Sequence, residues 1–564
     1  MIDKETYNKY TIWQKIVLSV KTLSLERAFF AGIYVMLGLL FLFMSLLYLL
    51  ANKTVETPKY NTDINIYSSL APGYMSSFYA TTPIEQFING LTSAGLQKEN
   101  LDGSFSLDIA EEINKSSDGL TLEVKLKSGS KFSNGEKITT EDVLFSYLSV
   151  LDPRVKAVNK VLYEGIEFEK IDDENLNIHL KKAYARLDEV LTLGIMQKSL
   201  WENENPDQYI LSKNNQISSG SGIYYIEDAV VSGSGEIKTI VLKSNPYYQL
   251  DRPFVREISI NIYKNDAELS TQIQDDNVDM IFNAEKIIED ENLYLRSIEM
   301  PRITSIYLNP NKNKNFGDKD VRRAIYEIIN RDEVVNKILK NTATSSFDIL
   351  PGSTLNENYV FLTEDELKKS LSTISSSTIS LAITNSERQQ KIGNYLKDLF
   401  FKYNINLEIQ TFDANDLLQN EIKNRDFEML LFTTEIESSY DLYAFLHSSQ
   451  RNSPGLNITG YTSKNLDTQI ENIKSSADTL SIQESLIKIR SEFYKEYFYI
   501  PIYTPFSLMY TKKDLNMNLP TKIHTYKNIF TDTEHFYNKT ERVWSFTTTE
   551  QSKKIIQTIY KILH

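Results

Sequence analysis

Residues 118–147 read DGLTLEVKLKSGSKFSNGEKITTEDVLFSY. Leu120 to Leu126 alternates apolar and polar side chains, the pattern of a half-buried strand. Ser133-Asn134-Gly135-Glu136 follows as a turn, because Asn-Gly tolerates the positive φ of tight turns. Thr139-Thr140-Glu141-Asp142 then opens a helix: a threonine caps free N–H groups and acids suit the positive helix end. Val143, Phe145, Tyr147 and Leu148 are expected to continue it with their apolar side inward.

The same alternation of strand and helix runs outward in both directions. Ile64 to Tyr67, Ile237 to Leu242 and Ile258 to Tyr263 read as strands, with a turn at Asn245-Pro246. Ile379 to Ile383, Asn406 to Thr411 and Phe427 to Phe432 read as further strands, and Gln389 to Tyr403 as a helix. Asp320 to Leu339 reads as one long helix with Val321, Ile325, Ile328 and Val335 on a single face. Leu371 to Thr378 is a Ser/Thr-rich loop. Strands alternating with helices predict an α/β protein.

Upstream lies a different kind of segment. Ala28 to Ala51, AFFAGIYVMLGLLFLFMSLLYLLA, contains no charged residue. Its 24 residues at about 1.5 Å each exceed a hydrocarbon core of about 30 Å. A secretory signal has a shorter apolar stretch and a small-residue cleavage site, and Leu49-Leu50-Ala51 is a poor one. The segment reads as an uncleaved transmembrane helix, with a cleaved signal peptide as the alternative. Residues 1–27 carry five basic against three acidic residues, a net +2, which predicts a cytoplasmic N-terminus and an extracytoplasmic remainder. Residues 52–62 read as a polar linker with a proline.

The 564 residues carry a net charge of −14, which argues against nucleic acid as a partner. There is no cysteine, hence no disulfide, thiolate metal site, cysteine nucleophile or lipid-modified cysteine. His179, His447, His524, His535 and His564 stand at no metal-ligand spacing. Gly220-Ser221-Gly222 lacks the rest of a phosphate loop, and no nucleophile elbow or zinc-protease motif occurs. No cofactor, metal or catalytic residue is expected.

Taken in order, the motifs resemble those of the family 5 extracellular solute-binding proteins of ABC transporters, which bind oligopeptides, dipeptides or nickel complexes. In the opening stretch the shared positions are Gly129, Lys131, Phe132, Asn134, Gly135, Thr139, Asp142, Val143 and Tyr147. Further on, Gly220, Gly222 and Tyr224 match a Gly-Thr-Gly-Pro-Tyr segment, with Ile223 in place of its proline. Asn245 to Tyr248, Arg252-Pro253-Phe254 and Asn277-Val278-Asp279 match the stretches that follow. Ile306 to Arg331 matches the crossover into a second lobe, including Phe316, Asp318, Val321, Arg322, Ala324 and Ile325. Asp426 to Met429, Gly460-Tyr461, Leu466-Asp467 and Ile500-Pro501-Ile502 complete the set.

The resemblance implies a two-lobe periplasmic-binding-protein-like clamshell of type II, with the enlarged first lobe of peptide binders, behind one transmembrane helix. The implied division is 1–27 cytoplasmic tail, 28–51 transmembrane helix, 52–62 linker, 63–308 with 503–546 lobe I, 309–502 lobe II and 547–564 C-terminal helix. Crossings between lobes are expected near Ile303–Pro310 and Tyr499–Thr504. The implied partners are a peptide or similar small solute, the permease subunits of an ABC importer, and the membrane through the N-terminal helix. Peptide-binding relatives hold the ligand's amino group with a second-lobe aspartate. The corresponding stretch here is Thr433 to Leu446, TTEIESSYDLYAFL. Asp441 matches the Asp of an Asp-Pro pair, with Leu442 replacing the proline; Glu435 and Glu437 are the candidate amine anchors. Tyr79, Tyr224, Tyr440 and Tyr443 are candidate cleft aromatics. Arg322 is expected to pair with an acid or to cap carbonyls. Two other classes remain open: an envelope sensor or adhesion module on the same fold, and an envelope hydrolase. Ser552 to His564, SKKIIQTIYKILH, is apolar at 555, 556, 559, 562 and 563 with lysines between, the pattern of an amphipathic helix packed on the first lobe or laid on a membrane surface.

Overall fold

The computed structural model describes residues 11–21, 24–158, 160–181, 187–216, 220–233, 235–248, 252–273, 277–284, 286–436, 442–453, 455–476, 479–523 and 525–544. The chain forms two compact units, Met1–Lys59 with Lys539–His564, and Tyr60–Asn538.

Among the described residues of the smaller unit a helix at Ile12–Lys21 is followed by a 29-residue helix at Leu25–Lys53. Within the latter, Phe29–Leu46 has a mean hydropathy of 2.3 and is wholly unburied by protein. The helix is therefore long and apolar enough to cross a bilayer. The region read as a polar linker is partly a strand. Thr54–Pro58 pairs antiparallel with Thr540–Trp544, Thr54 opposite Trp544 and Val55 opposite Val543. Both strands are mixed polar segments whose partner lies almost the whole chain away, so neither announces itself locally. The expected C-terminal helix at 547–564 lies outside the described residues.

The larger unit is organised by two sets of parallel strands. In the first, Thr62–Ser68 lies between Val255–Ile262 and Met280–Ala284, parallel to both. In the second, Thr378–Thr384 lies between Asn406–Phe412 and Met429–Glu435, again parallel to both. The 13-residue strand Ile500–Lys512 joins them into one twelve-stranded sheet. Its first half pairs with Arg302–Leu308 and Ala343–Ser345, its second half with Met280–Ala284 and Leu293–Glu299. Beside the first set stands a four-stranded antiparallel sheet that carries the opening stretch, with Thr121–Leu126 as an inner strand.

Each set has its own apolar core. One gathers Ile64, Phe87, Ile260, Met280 and Tyr526. Another runs from Ile303 to Tyr503 and includes Leu381, Leu407 and Leu430. A third fills the four-stranded sheet with Phe78, Phe132, Tyr147 and Trp201. The strand Arg302–Leu308, expected in the first lobe, packs instead in the core of the second set, because it pairs along its whole length with Met429–Glu435. The chain passes between the sets at Met300-Pro301, where Met300 N–H donates to Pro505 O and Pro301 O accepts from Ile436 N–H.

Four local features bear on the expected elements. The turn has Gly135 at φ +88°, and the helix Thr140–Leu151 begins with Asp142 Oδ2 accepting from Thr139 N–H at 2.9 Å. Leu148, expected inside, is exposed. The buried apolar side chains of this helix are Val143, Tyr147 and Val150, spaced at i, i+4 and i+7 on one side, and Leu148 stands about 100° away from Tyr147. The long helix expected at 320–339 is broken: Lys319–Ile328 ends, Ile329 and Asn330 are extended, and a new turn starts at Arg331 with the Asn330 side chain accepting from Glu333 N–H. Arg322 meets both expectations, donating to Phe316 O, Gly317 O and Glu496 O and lying 3.5 Å from the Glu496 carboxylate.

Gly220 and Gly222 are close-approach residues. A Cβ on Gly222 would sit 2.5 Å from Leu91 O, and one on Gly220 2.1 Å from Thr92 O. Their absence of side chain lets this segment lie on the end of the helix Pro83–Thr92, where Gly222 N–H donates to Thr92 O.

Candidate functional site

In open α/β sheets a ligand crevice forms beyond the carboxyl ends of the parallel strands, where the connections leave in different directions. In the first set those ends are Ser68, Ile262 and Ala284. Beyond them opens a cavity of about 510 Å³ lined by Asn265, Asp266, Ser270, Lys286, Glu289 and Asp290, among others. Ser69 Oγ donates to Asp266 Oδ1 at 2.5 Å and holds that carboxylate at the rim. In the second set the ends are Thr384, Phe412 and Glu435. From the first of these springs the helix Glu387–Phe401, capped by Ser386.

The two sets of ends face each other. Lys286, in the wall of the cavity, pairs with Glu387 of the opposite helix at 2.8 Å. Lys286 and Lys391 together hold the Glu387 carboxyl down to about 2. Deeper in, a polar chain runs between the sets. Asn283, at φ +52°, accepts from Ser507 Oγ at 2.7 Å and from Tyr526 Oη at 3.3 Å. Burial pushes the Tyr526 hydroxyl up to about 12, so it remains a donor at ordinary pH. The Arg302 guanidinium lies 5.9 Å from the Tyr526 ring centre and binds Glu435 Oε2 at 2.9 Å.

The candidate residues fall into three groups. Glu435 ends a strand of the second set, but it is already paired with Arg302, directly opposite it in the sheet. A ligand ammonium would have to compete with that guanidinium. Tyr443 is half-buried, stacked on His447 at 4.2 Å with Lys474 Nζ 4.4 Å from its ring centre. Tyr79 and Tyr224 are in packed cores. Tyr79 Oη donates to Val155 O at 2.7 Å, Tyr224 Oη to Val255 O at 2.9 Å, and burial raises both phenols. Neither offers a face to a crevice. Glu437, Tyr440 and Asp441 lie outside the described residues.

Just beside that segment is a small apolar pocket of about 10 Å³, room for one water at most, between Tyr307, Thr434, Ile436, Leu442, Phe445 and Tyr499, among others. The structure thus adds Asp266, Asn283, Lys286, Arg302, Glu387 and Tyr526 to the site. Asn283 and Tyr526 carry no sequence mark. Asp266 and Lys286 follow the ends of apolar strand runs, and that placement was their only available signal.

Comparison with known proteins identifies the family and the fold. A sequence model of the family described as bacterial extracellular solute-binding proteins, family 5 Middle, matches residues 104–455, more than half of the chain. The chain is similar to the oligopeptide-binding protein AppA of Bacillus subtilis, 23% identical over 520 residues, covering 85% of this chain and 91% of that one. It is also similar to the nickel-binding protein NikA of Staphylococcus aureus, 24% identical over 455 residues and covering 76% and 86% of the two chains. Among solved structures, AppA of Bacillus subtilis in complex with a nonapeptide superimposes with a TM-score of 0.68 at 22% identity, covering 85% of this chain and 99% of its own. The substrate-binding protein CtaP of an ABC transporter from Listeria monocytogenes superimposes with a TM-score of 0.73 at 18% identity, covering 85% and 100%.

Proposed function

The chain belongs to the bacterial extracellular solute-binding proteins of family 5, and on that premise we propose that it captures peptides or similar small solutes outside the cytoplasm and delivers them to the permease of an ABC importer. Its fold is the two-lobe binding-protein fold of type II, and its work is binding. The observation that carries the reading is the opposition of two sets of parallel-strand ends, bridged by Lys286 and Glu387 and joined by the shared strand Ile500–Lys512. A solute held there touches both sets at once, so it favours the conformation in which they are close. The shared strand, with the passage at Met300-Pro301, is the natural hinge.

The chemistry suits a zwitterion. Asp266, Glu289 and Asp290 line the cavity as acceptors for an ammonium. Lys286 is the cation in its wall, and a ligand carboxylate would compete for it with Glu387. The resemblance to AppA favours peptides. We further propose that Leu25–Lys53 is retained as a membrane anchor, with the N-terminus in the cytoplasm and the larger unit outside.

The test is mass spectrometry on the full chain purified from its own membranes in detergent. The intact mass should be 65.1 kDa, the whole polypeptide. Denaturation should release a stoichiometric pool of peptides. Release of a metal complex or a sugar instead would overturn the peptide assignment, and a mass short of the first fifty residues would overturn the anchor.

A further inference from the structure

The helix Ile12–Lys21, IWQKIVLSVK, precedes the apolar helix by only three residues. On a helical period of about 100° per residue, Ile12, Trp13, Ile16, Val17 and Val20 fall within about 140° of arc. Gln14, Lys15, Ser19 and Lys21 occupy the rest, with Leu18 among them. The described apolar side chains are uncovered by protein: Ile12 is 79% exposed, Trp13 76% and Val17 47%.

A ten-residue helix with that face is marginal alone in water and needs an apolar partner. Its continuity with the next helix decides which partner. If Leu25–Lys53 spans the bilayer, residue 21 lies within about three residues of the inner leaflet, so the leaflet surface is within reach before any protein is. Charge points the same way. Lys15 and Lys21 on the polar arc, and Arg27 at the mouth of the span, suit the anionic headgroups of an inner leaflet. Tryptophan is a residue that the headgroup boundary favours, and Trp13 lies on the apolar arc.

We infer that Ile12–Lys21 lies flat in the cytoplasmic leaflet as an interfacial helix, with Ile12, Trp13 and Val17 among the acyl chains and Lys15 and Lys21 among anionic headgroups. This rests on the anchor reading above. Its consequence is mechanical: the helix resists withdrawal and rotation of the anchor, and so holds the receptor at the membrane by two elements.

The chain has no cysteine, so single-cysteine variants can be spin-labelled without background. The full chain carrying Ile12→Cys, Gln14→Cys, Val17→Cys, Lys21→Cys or Leu40→Cys is reconstituted into phosphatidylethanolamine vesicles containing one quarter phosphatidylglycerol. Collision with oxygen and with a water-soluble nickel chelate is measured at each label. The ratio of oxygen to nickel collisions should be several-fold higher at 12 and 17 than at 14 and 21, and highest at 40. In pure phosphatidylcholine vesicles the difference should shrink. Equal, nickel-rich collision at 12, 14, 17 and 21 with position 40 still shielded would overturn the interfacial helix and leave the anchor standing. Equal shielding at all four would overturn it too, by burying the polar face. A nickel-accessible position 40 would sink the anchor itself. A ratio unchanged in phosphatidylcholine would overturn the role given to the lysines.

Discussion

Arg331 is 4% exposed, and its guanidinium donates to Ser346 O, Pro501 O, Tyr326 O and Ile329 O while lying 4.1 Å from the Tyr326 ring centre. It ties the broken helix end to the shared strand, so its removal leaves several buried carbonyls without a donor. Arg331→Met is expected to cost roughly 3 kcal/mol, read as a lower urea midpoint with an unchanged slope; a loss under about 0.5 kcal/mol would contradict this. Asp108 is the opposite case, a buried carboxyl that the fold penalises when charged. Burial raises it to about 6 despite Lys98 and Lys127, with Tyr248 Oη donating to Oδ1 at 3.0 Å and Glu534 nearby. The folded state therefore holds a proton that the unfolded state has released between about pH 4 and pH 6. This group's contribution is complete below the unfolded value and is lost as pH rises through the folded one. Asp108→Asn should flatten that slope and raise stability at pH 7 by about 1–3 kcal/mol, measured by denaturant titrations at pH 4, 5, 6 and 7. Neither role was legible in the sequence. Arg331 stands in the polar run Asn330-Arg331-Asp332, and its burial depends on strand Ile500–Lys512, far along the chain. Tyr79 and Tyr224 were likewise two among 34 tyrosines, and only packing tells a core phenol from a cleft one.

At the scale of elements, period and turn chemistry were enough where the determinants are local. The opening strand, the Asn-Gly turn and the helix Thr140–Leu151 stand where the residues put them. The helix expected at 320–339 failed because an apolar period continued through a break set by Asn330 capping and the buried Arg331. The ribbon Thr54–Pro58 with Thr540–Trp544 was invisible because nothing local signals a partner at the other end of the chain. It has a direct consequence. Val55 and Val543 are opposite each other, within the Cα separation a disulfide accepts. Val55→Cys with Val543→Cys should oxidise to an internal crosslink, seen as a mobility shift on non-reducing gels that a reductant abolishes. Val55→Cys with Glu541→Cys, two positions out of register, should crosslink far less. Equal crosslinking of both pairs would mean the ribbon has no fixed register.

At the scale of the molecule, family membership and the α/β class could be read from ordered motifs, because Gly, Pro and capping residues mark turns that any member of the fold must make. The proposed ligand contacts were less legible. They stand on connections beyond strand ends, where sequence is free to vary once the sheets are set. The Lys286–Glu387 pair illustrates this: both side chains are largely exposed, so it supplies at most about 1 kcal/mol to holding the strand ends together. Movement of the two strand sets about Ile500–Lys512 is therefore the claim on which the account turns. Its most direct test labels Lys264→Cys beside the first set and Asn394→Cys on the helix of the second, both exposed, in the otherwise cysteine-free full chain. Electron–electron distances are then measured with and without the solute pool released from the native protein. The account predicts a shorter and narrower distance distribution at saturating solute. An identical distribution with solute demonstrably bound would contradict it.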